Sequence, residues 1–124
     1  MGEVSLKKAG DAASRVSGRI DREEQFRPFV QDGRIVAMPA RPARRRLLLD
    51  CVAQAFEPGL RYPEAVVDDV LRVLCEDHAV LRRYLVDEGF LSRQAGIYWR
   101  SGGTVELLAS GAKPPRPPTR ASPA

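Results

Sequence analysis

The sequence predicts an α+β, mainly helical fold on the winged helix-turn-helix plan, with a short strand, three helices and a β-hairpin wing. Three observations predict it. Residues 42–100 carry three consecutive helical patterns, the first and third with a stop signal behind them. Two short β-rich runs, Phe90-Leu91-Ser92-Arg93 and Ile97-Tyr98-Trp99-Arg100, then flank Gln94-Ala95-Gly96 as a hairpin. The third helix opens at Asp77-His78 and carries the pair Arg82-Arg83, where a winged helix presents side chains to a DNA groove.

At 124 residues and 44% hydrophobic content, the chain holds one small domain with flanks. Residues 1–28 read as a charged N-terminal extension, mobile at first and helical near its end. Over 21–30 a helix is predicted, because Phe26, Phe29 and Val30 share one face. The winged-helix-like domain spans 29–100. Residues 101–124 form a Pro-rich basic tail, expected to be disordered, since Lys113-Pro-Pro-Arg116-Pro-Pro-Thr-Arg120 cannot pack a core. An ordered part of roughly 70 residues is marginal for a single core, so the helix around Phe26 or a homodimer contact would help it.

Within the domain, Asp32-Gly33 signals a turn and residues 34–38 a short strand, ended by Pro39 and Pro42. The first core helix is predicted over 43–56, with Leu48, Val52, Ala55 and Phe56 on one stripe and Leu47, Leu49 and Cys51 broadening it. Glu57-Pro58-Gly59 stops it. A second helix starts at Pro63, and Val66, Val67, Val70, Leu71 and Leu74 follow helical spacing. Asp77 caps the third, in which Leu81, Leu85 and either Tyr84 or Val86 face inward; Gly89 closes it.

Charge sets the candidate partners. The net charge is +4, but residues 29–100 hold 11 Arg against 10 Asp plus Glu, so the domain is polarised rather than uniformly basic. Arg34, Arg41, Arg44, Arg45 and Arg46 fall within 13 residues, and Arg41, Arg44, Arg45 and Arg46 crowd the start of the first core helix. Cations at a helix N-terminus oppose its dipole, so the cluster points to phosphate binding as well as to solubility. His78, Arg82 and Arg83 lie off the Leu81–Leu85 stripe and are candidates for the groove, with Arg93 on the wing. The other reading has Arg82 and Arg83 paired with Asp77, Asp87 or Glu88, holding the fold alone. Tyr98-Trp99 offers a stacking surface for bases, or one ring in the core and one half-exposed.

Other chemistry finds little support. No run of about 18 apolar residues exists and the N-terminus lacks a secretory h-region, so a cytoplasmic protein away from membranes is expected. Cys51 and Cys75 fall in helical patterns and read as reduced core residues. Cys75-x-x-His78 has a metal-like spacing, but with Cys51 as the only other cysteine no metal or cofactor is expected. Asp68-Asp69 and Asp87-Glu88 read as solvated faces. Neither a nucleophile elbow nor a phosphate loop occurs, so an enzyme is not expected.

Several of these segments are recognisable together: Phe29-Val-Gln-Asp-Gly-Arg-Ile35, Pro39, Phe56-Glu-Pro-Gly-Leu-Arg-Tyr62, Asp77-His-Ala-Val-Leu-Arg-Arg-Tyr-Leu-Val-Asp-Glu-Gly-Phe-Leu91 and Tyr98-Trp-Arg100. Over residues 29–100 the chain resembles the bacterial domain-of-unknown-function family numbered 2087. The resemblance implies a winged-helix-like domain in a regulatory setting, alone or fused to helix-turn-helix transcriptional regulators, and binding of nucleic acid. Family members tend to cap the second helix with Thr or Ser where this chain has Pro63, and to start the first core helix with Lys where it has Arg44-Arg45-Arg46.

The expectation is therefore a DNA-binding transcriptional regulator. Arg41, Arg44, Arg45 and Arg46 would anchor phosphates of duplex DNA; His78, Arg82 and Arg83 would face the groove; Arg93 would sit on the wing. The alternative is a module with the same fold that docks a protein partner and binds no nucleic acid.

Overall fold

A computed structural model describes residues 6–104. Its elements are α1 (Leu6–Arg22), a 3-10 turn (Glu24–Phe26), β1 (Val30–Gln31), β2 (Arg34–Ile35), α2 (Pro42–Ala53), β3 (Arg61–Pro63), α3 (Glu64–Leu74), α4 (His78–Asp87), β4 (Leu91–Gln94) and β5 (Ile97–Arg100). The architecture is α+β, with two small antiparallel sheets, β1-β2 and β3-β5-β4. Of the tail expected to be disordered over 101–124, residues 101–104 are described and held by Asp50 and Phe90 O, and the rest lies outside the described residues.

The N-terminal part departs most from expectation. Residues 6–22 are helical, and Ala9, Ala13, Val16 and Ile20 are buried at three- and four-residue intervals. Through this stripe α1 packs on α3 and α2 and becomes part of the core. The helix predicted over 21–30 is replaced by the short turn and β1. The helix stops at Glu23, whose backbone is extended (φ −81°, ψ 117°), and Pro28, which has no N–H to offer a helix, follows the short turn. Phe26 is fully buried even so.

The turn Asp32-Gly33 forms as expected, with both residues at positive φ (54° and 77°), the two-residue geometry that suits a right-twisted hairpin. It is bolted to α1. Gly33 N–H donates to Asp21 Oδ1 (2.9 Å) and Ser17 Oγ donates to Gly33 O (2.8 Å). A Cβ at Gly33 would collide with Ser17 Oγ, so glycine is required twice over. β2 is shorter than the strand predicted over 34–38, and Ile35 instead makes an isolated parallel bridge to Cys75.

α2 carries Pro42 in its first turn and buries Leu48, Leu49, Val52 and Ala53; it ends three residues before the predicted Phe56. Leu47 was predicted to broaden the buried stripe but is 48% exposed. β3 escapes the sequence reading, because three residues ending in proline show no alternation. It pairs with β5 through Arg61↔Trp99, Tyr62↔Tyr98 and Pro63↔Ile97 at the sheet edge, where a missing N–H is tolerated. Pro63 then serves as the N-cap of α3 rather than its first residue. α3 buries Val67, Val70, Leu71 and Leu74. Asp77 caps α4 by accepting from Val80 N–H (3.3 Å), and Gly89 follows its end at φ 86°. In α4, Leu81 and Leu85 are buried while Tyr84 and Val86 are both half-buried. Ala95-Gly96 makes a second two-residue turn at positive φ between β4 and β5.

One buried charge ties these layers together. Arg100, 9% exposed, donates to Ala53 O (2.9 Å), Phe56 O (2.7 Å), Gly102 O (2.7 Å) and Thr104 O. The first two acceptors are carbonyls at the C-terminal end of α2, where a cation is favoured. A β5 side chain thereby caps α2. Asp50, on the last turns of α2, accepts from Thr104 N–H (2.8 Å) and its hydroxyl (2.7 Å) and holds the chain after β5 in place.

Candidate nucleic-acid interface

Two of the four arginines at the start of α2 meet Glu88, just past the end of α4. Arg41 is the α2 N-cap and is exposed; Arg44 is exposed and donates to Gln25 O (3.3 Å). Arg45 is half-buried. Its Nε lies 3.1 Å from Glu88 Oε2, its Nη1 donates to Ala40 O (3.2 Å), and its guanidinium sits 5.6 Å from the Tyr84 ring centre. Arg46 lies 2.8 Å from Glu88 Oε1 and 5.1 Å from the Phe90 ring centre, with its side chain 53% exposed. Partial desolvation disfavours the charged form of Glu88, but hydrogen bonds and charge from Arg45 and Arg46 outweigh it and lower the carboxyl's pKa. Cations at an N-terminus and an acid past a C-terminus both oppose their helix dipoles; here they neutralise each other.

The candidates on α4 are divided. Arg82 is hydrogen-bonded to Asp68 of α3, and His78 Nε2 lies 4.0 Å from the same carboxylate oxygen. Both side chains are therefore turned toward α3 instead of standing free over a groove. The partner is none of the three acids that flank the pair in sequence, and Asp68 is no solvated face: its side chain is only 18% exposed. Asp69 does stay at the surface, paired with Arg72 at 2.8 Å. Arg83 is exposed, and neither it nor Arg41 makes a side-chain hydrogen bond or ion pair among the described residues. Ala79, Arg83 and Asp87, one turn apart, and Val80 form the outward strip of α4.

On the hairpin, Arg93 is exposed, with its guanidinium 5.6 Å from the Tyr98 ring centre. The two adjacent aromatics part company. Tyr98 is fully buried and donates its hydroxyl to Glu64 Oε1 (2.9 Å), whereas Trp99 is half-buried with the Arg61 guanidinium 5.0 Å from its ring centre. Tyr98 thus offers no face for stacking.

The cysteines are free and half-buried, and burial is the main cause that raises both thiol pKa values. Among the described residues no group of three or more His, Cys, Asp or Glu is placed to hold a metal ion, and no helix is long and apolar enough to cross a membrane.

Residues 34–100 match the family described as an uncharacterized protein conserved in bacteria, DUF2087, over more than half of the chain. The chain belongs to this family. No curated protein and no solved structure matches it. The DUF2087 match begins in β2 and ends at Arg100. It takes in every candidate arginine, the acids Asp68 and Glu88 that hold three of them, and the buried Arg100. It leaves out α1, although α1 supplies four core residues.

Proposed function

We propose that this DUF2087 protein is a winged-helix regulator that holds duplex DNA mainly by its phosphates. The carrying observation is topological: α2, β3, α3, α4, β4 and β5 follow one another with β5 between β3 and β4. That is the order in which a winged helix sets a helix pair beside a hairpin. In this reading α4 is the helix nearest the duplex and β4-β5 the wing.

The electrostatics support backbone contact over base reading. Arg45 and Arg46 join Glu88 at the α2–α4 junction, Arg83 lies one turn before Asp87 on α4, and Arg41 and Arg44 add two exposed cations at the start of α2. The N-terminal end of α4 carries Glu76 and Asp77 beside the Asp68–Arg82 pair, which makes it less favourable to phosphate. Partly exposed ion pairs are worth only about 0–1 kcal/mol, so Arg46 can trade Glu88 for a phosphate at small cost. Arg82 and His78 are positioning residues for the α3–α4 pair in this reading.

A second reading has one specific observation behind it. Glu88 and Asp68 already neutralise Arg45, Arg46 and Arg82, as in a module that docks protein rather than DNA. Fluorescence anisotropy with a duplex of random sequence separates the two. For about four phosphate contacts, affinity falls roughly a hundredfold between 50 and 200 mM salt if DNA is the partner. No binding at the lower salt overturns the DNA reading.

A further inference from the structure

A groove of about 500 Å³ runs between the segment after the β1-β2 hairpin and the first turn of α4. Its floor and walls are Ile35, Val36, Ala37, Met38, Val80 and Leu81. Four large aliphatic side chains are conspicuously exposed in the described residues, Val36, Leu47, Val73 and Val80, and two of them face this groove: Val36 at 61% and Val80 at 45%. Exposed apolar side chains gathered around a concavity mark a docking site more often than scattered ones do.

The charged groups on its rim decide the occupant. Asp32, Glu76 and Asp77 contribute three carboxylates. Asp77 spends one oxygen on its N-cap bond to Val80. The cation among the lining residues, Arg34, has its guanidinium drawn to Arg72 O (2.7 Å) at the end of α3. In a chain of net charge +4, this is a local anionic mouth around an apolar floor.

The shape argues for a chain segment over a compact molecule. Five consecutive residues, 34–38, line one side, so that wall is at most about 13 Å long at extended spacing. That length suits two or three side chains of one peptide, with the opposite wall supplied by a helix.

We propose that this groove binds a short segment of a partner protein in which two or three aliphatic side chains are flanked by Lys or Arg. The aliphatic groups cover Val36, Met38 and Val80, and the cations meet Asp32, Glu76 and Asp77. The inference goes beyond DNA binding and does not rest on it, because none of the groove residues is a proposed phosphate contact.

The test uses the full chain and two fluorescein-labelled peptides of about ten residues, one of leucine and lysine, one of leucine and glutamate. Anisotropy is read at about 150 mM salt, where long-range attraction is screened. The leucine–lysine peptide is expected to bind with a Kd on the order of 10–100 μM, as weak docking segments do. The leucine–glutamate peptide should bind at least about tenfold more weakly, a difference of ~1.4 kcal/mol. Val36→Ser with Val80→Ser, both at exposed positions, should weaken the first peptide by a similar factor, and Glu76→Lys should do so independently. Equal binding of the two peptides, or binding untouched by these variants, overturns the proposal. So does sedimentation showing a dimer that the Val36→Ser/Val80→Ser chain no longer forms, since the groove would then hold a second copy. Loss of duplex binding with peptide binding intact removes only the DNA reading.

Discussion

Glu88, just past the end of α4, receives Arg45 Nε at 3.1 Å and Arg46 Nη1 at 2.8 Å from the start of α2. A single carboxylate thus fastens the helix ends that the candidate DNA face spans, and it sets how much positive charge that face shows. Glu88→Gln should raise duplex affinity several-fold and lower stability by about 0.5–1 kcal/mol. Titration by duplex and urea melts of the same variant check the two halves.

The same pair makes a pH prediction. The folded Glu88 carboxyl is held below its unfolded value of ~4.3, so its contribution is complete above that pH and fades as pH falls through the lower folded pKa. The stability difference between the native chain and Glu88→Gln should therefore shrink steadily below about pH 4 and be flat near neutrality. Thermal melts of both proteins at several pH values check this.

Asp68 of α3 serves two side chains of α4 at once, accepting from Arg82 and lying 4.0 Å from His78. Asp68→Asn should cost roughly 1–3 kcal/mol, because it leaves a half-buried guanidinium without its anion. Arg82→Met on that background should cost much less than it does alone. A double-mutant cycle by chemical denaturation gives the coupling, and near-additivity would show that the two side chains do not work as a pair.

Arg100 offers a sharper case. Its four carbonyl acceptors have no other cation among the described residues, and burial disfavours its charged form. Arg100→Ala should lose about 1–3 kcal/mol, since the Phe56 carbonyl then loses its guanidinium donor while Ala53 O keeps only the Phe56 N–H. Arg100→Lys should recover only part, because an ammonium cannot fork to several acceptors in the guanidinium plane. Urea unfolding of the two variants orders them.

The family-matched segment 34–100 should not fold alone, because Ala13, Val16 and Ile20 of α1 close the core over α3. In the full chain, Ile20→Ala should cost about 2–4 kcal/mol. Circular dichroism of the segment and of the variant decides the point; a segment that melts cooperatively would contradict it.

How much of this was legible depends on whether a signal is local. The Asp77 cap and Gly89 mark helix ends through backbone chemistry confined to a few residues, and both act as read, whereas Pro42, read as ending a strand, is the first residue of α2. Asp32-Gly33 and Ala95-Gly96 likewise form their turns. α1 was missed because its stripe of Ala9, Ala13, Val16 and Ile20 is interrupted by charges and by Gly10 and Gly18; its helicity comes from packing on α3. β3 was missed because Arg61-Tyr62-Pro63 has too few residues to alternate. The ion pairs could not be read at all. Asp68 and Arg82 are 14 residues apart and Arg46 and Glu88 are 42 apart, so only the fold brings them together. For that reason three of the seven candidate arginines, Arg45, Arg46 and Arg82, are held by acids that no local pattern selects.

The most direct test of the central claim compares the native chain, Arg83→Ala and Arg41→Ala/Arg44→Ala in duplex anisotropy across a salt series. These arginines are exposed and hold no carboxylate in the fold, so their loss should leave stability unchanged. If they grip phosphates, each removal weakens binding evenly across sequences and lowers the salt slope by about one per contact. A native chain that ignores duplex DNA at low salt, or variants with undiminished affinity and slope, would contradict the winged-helix DNA-binding account.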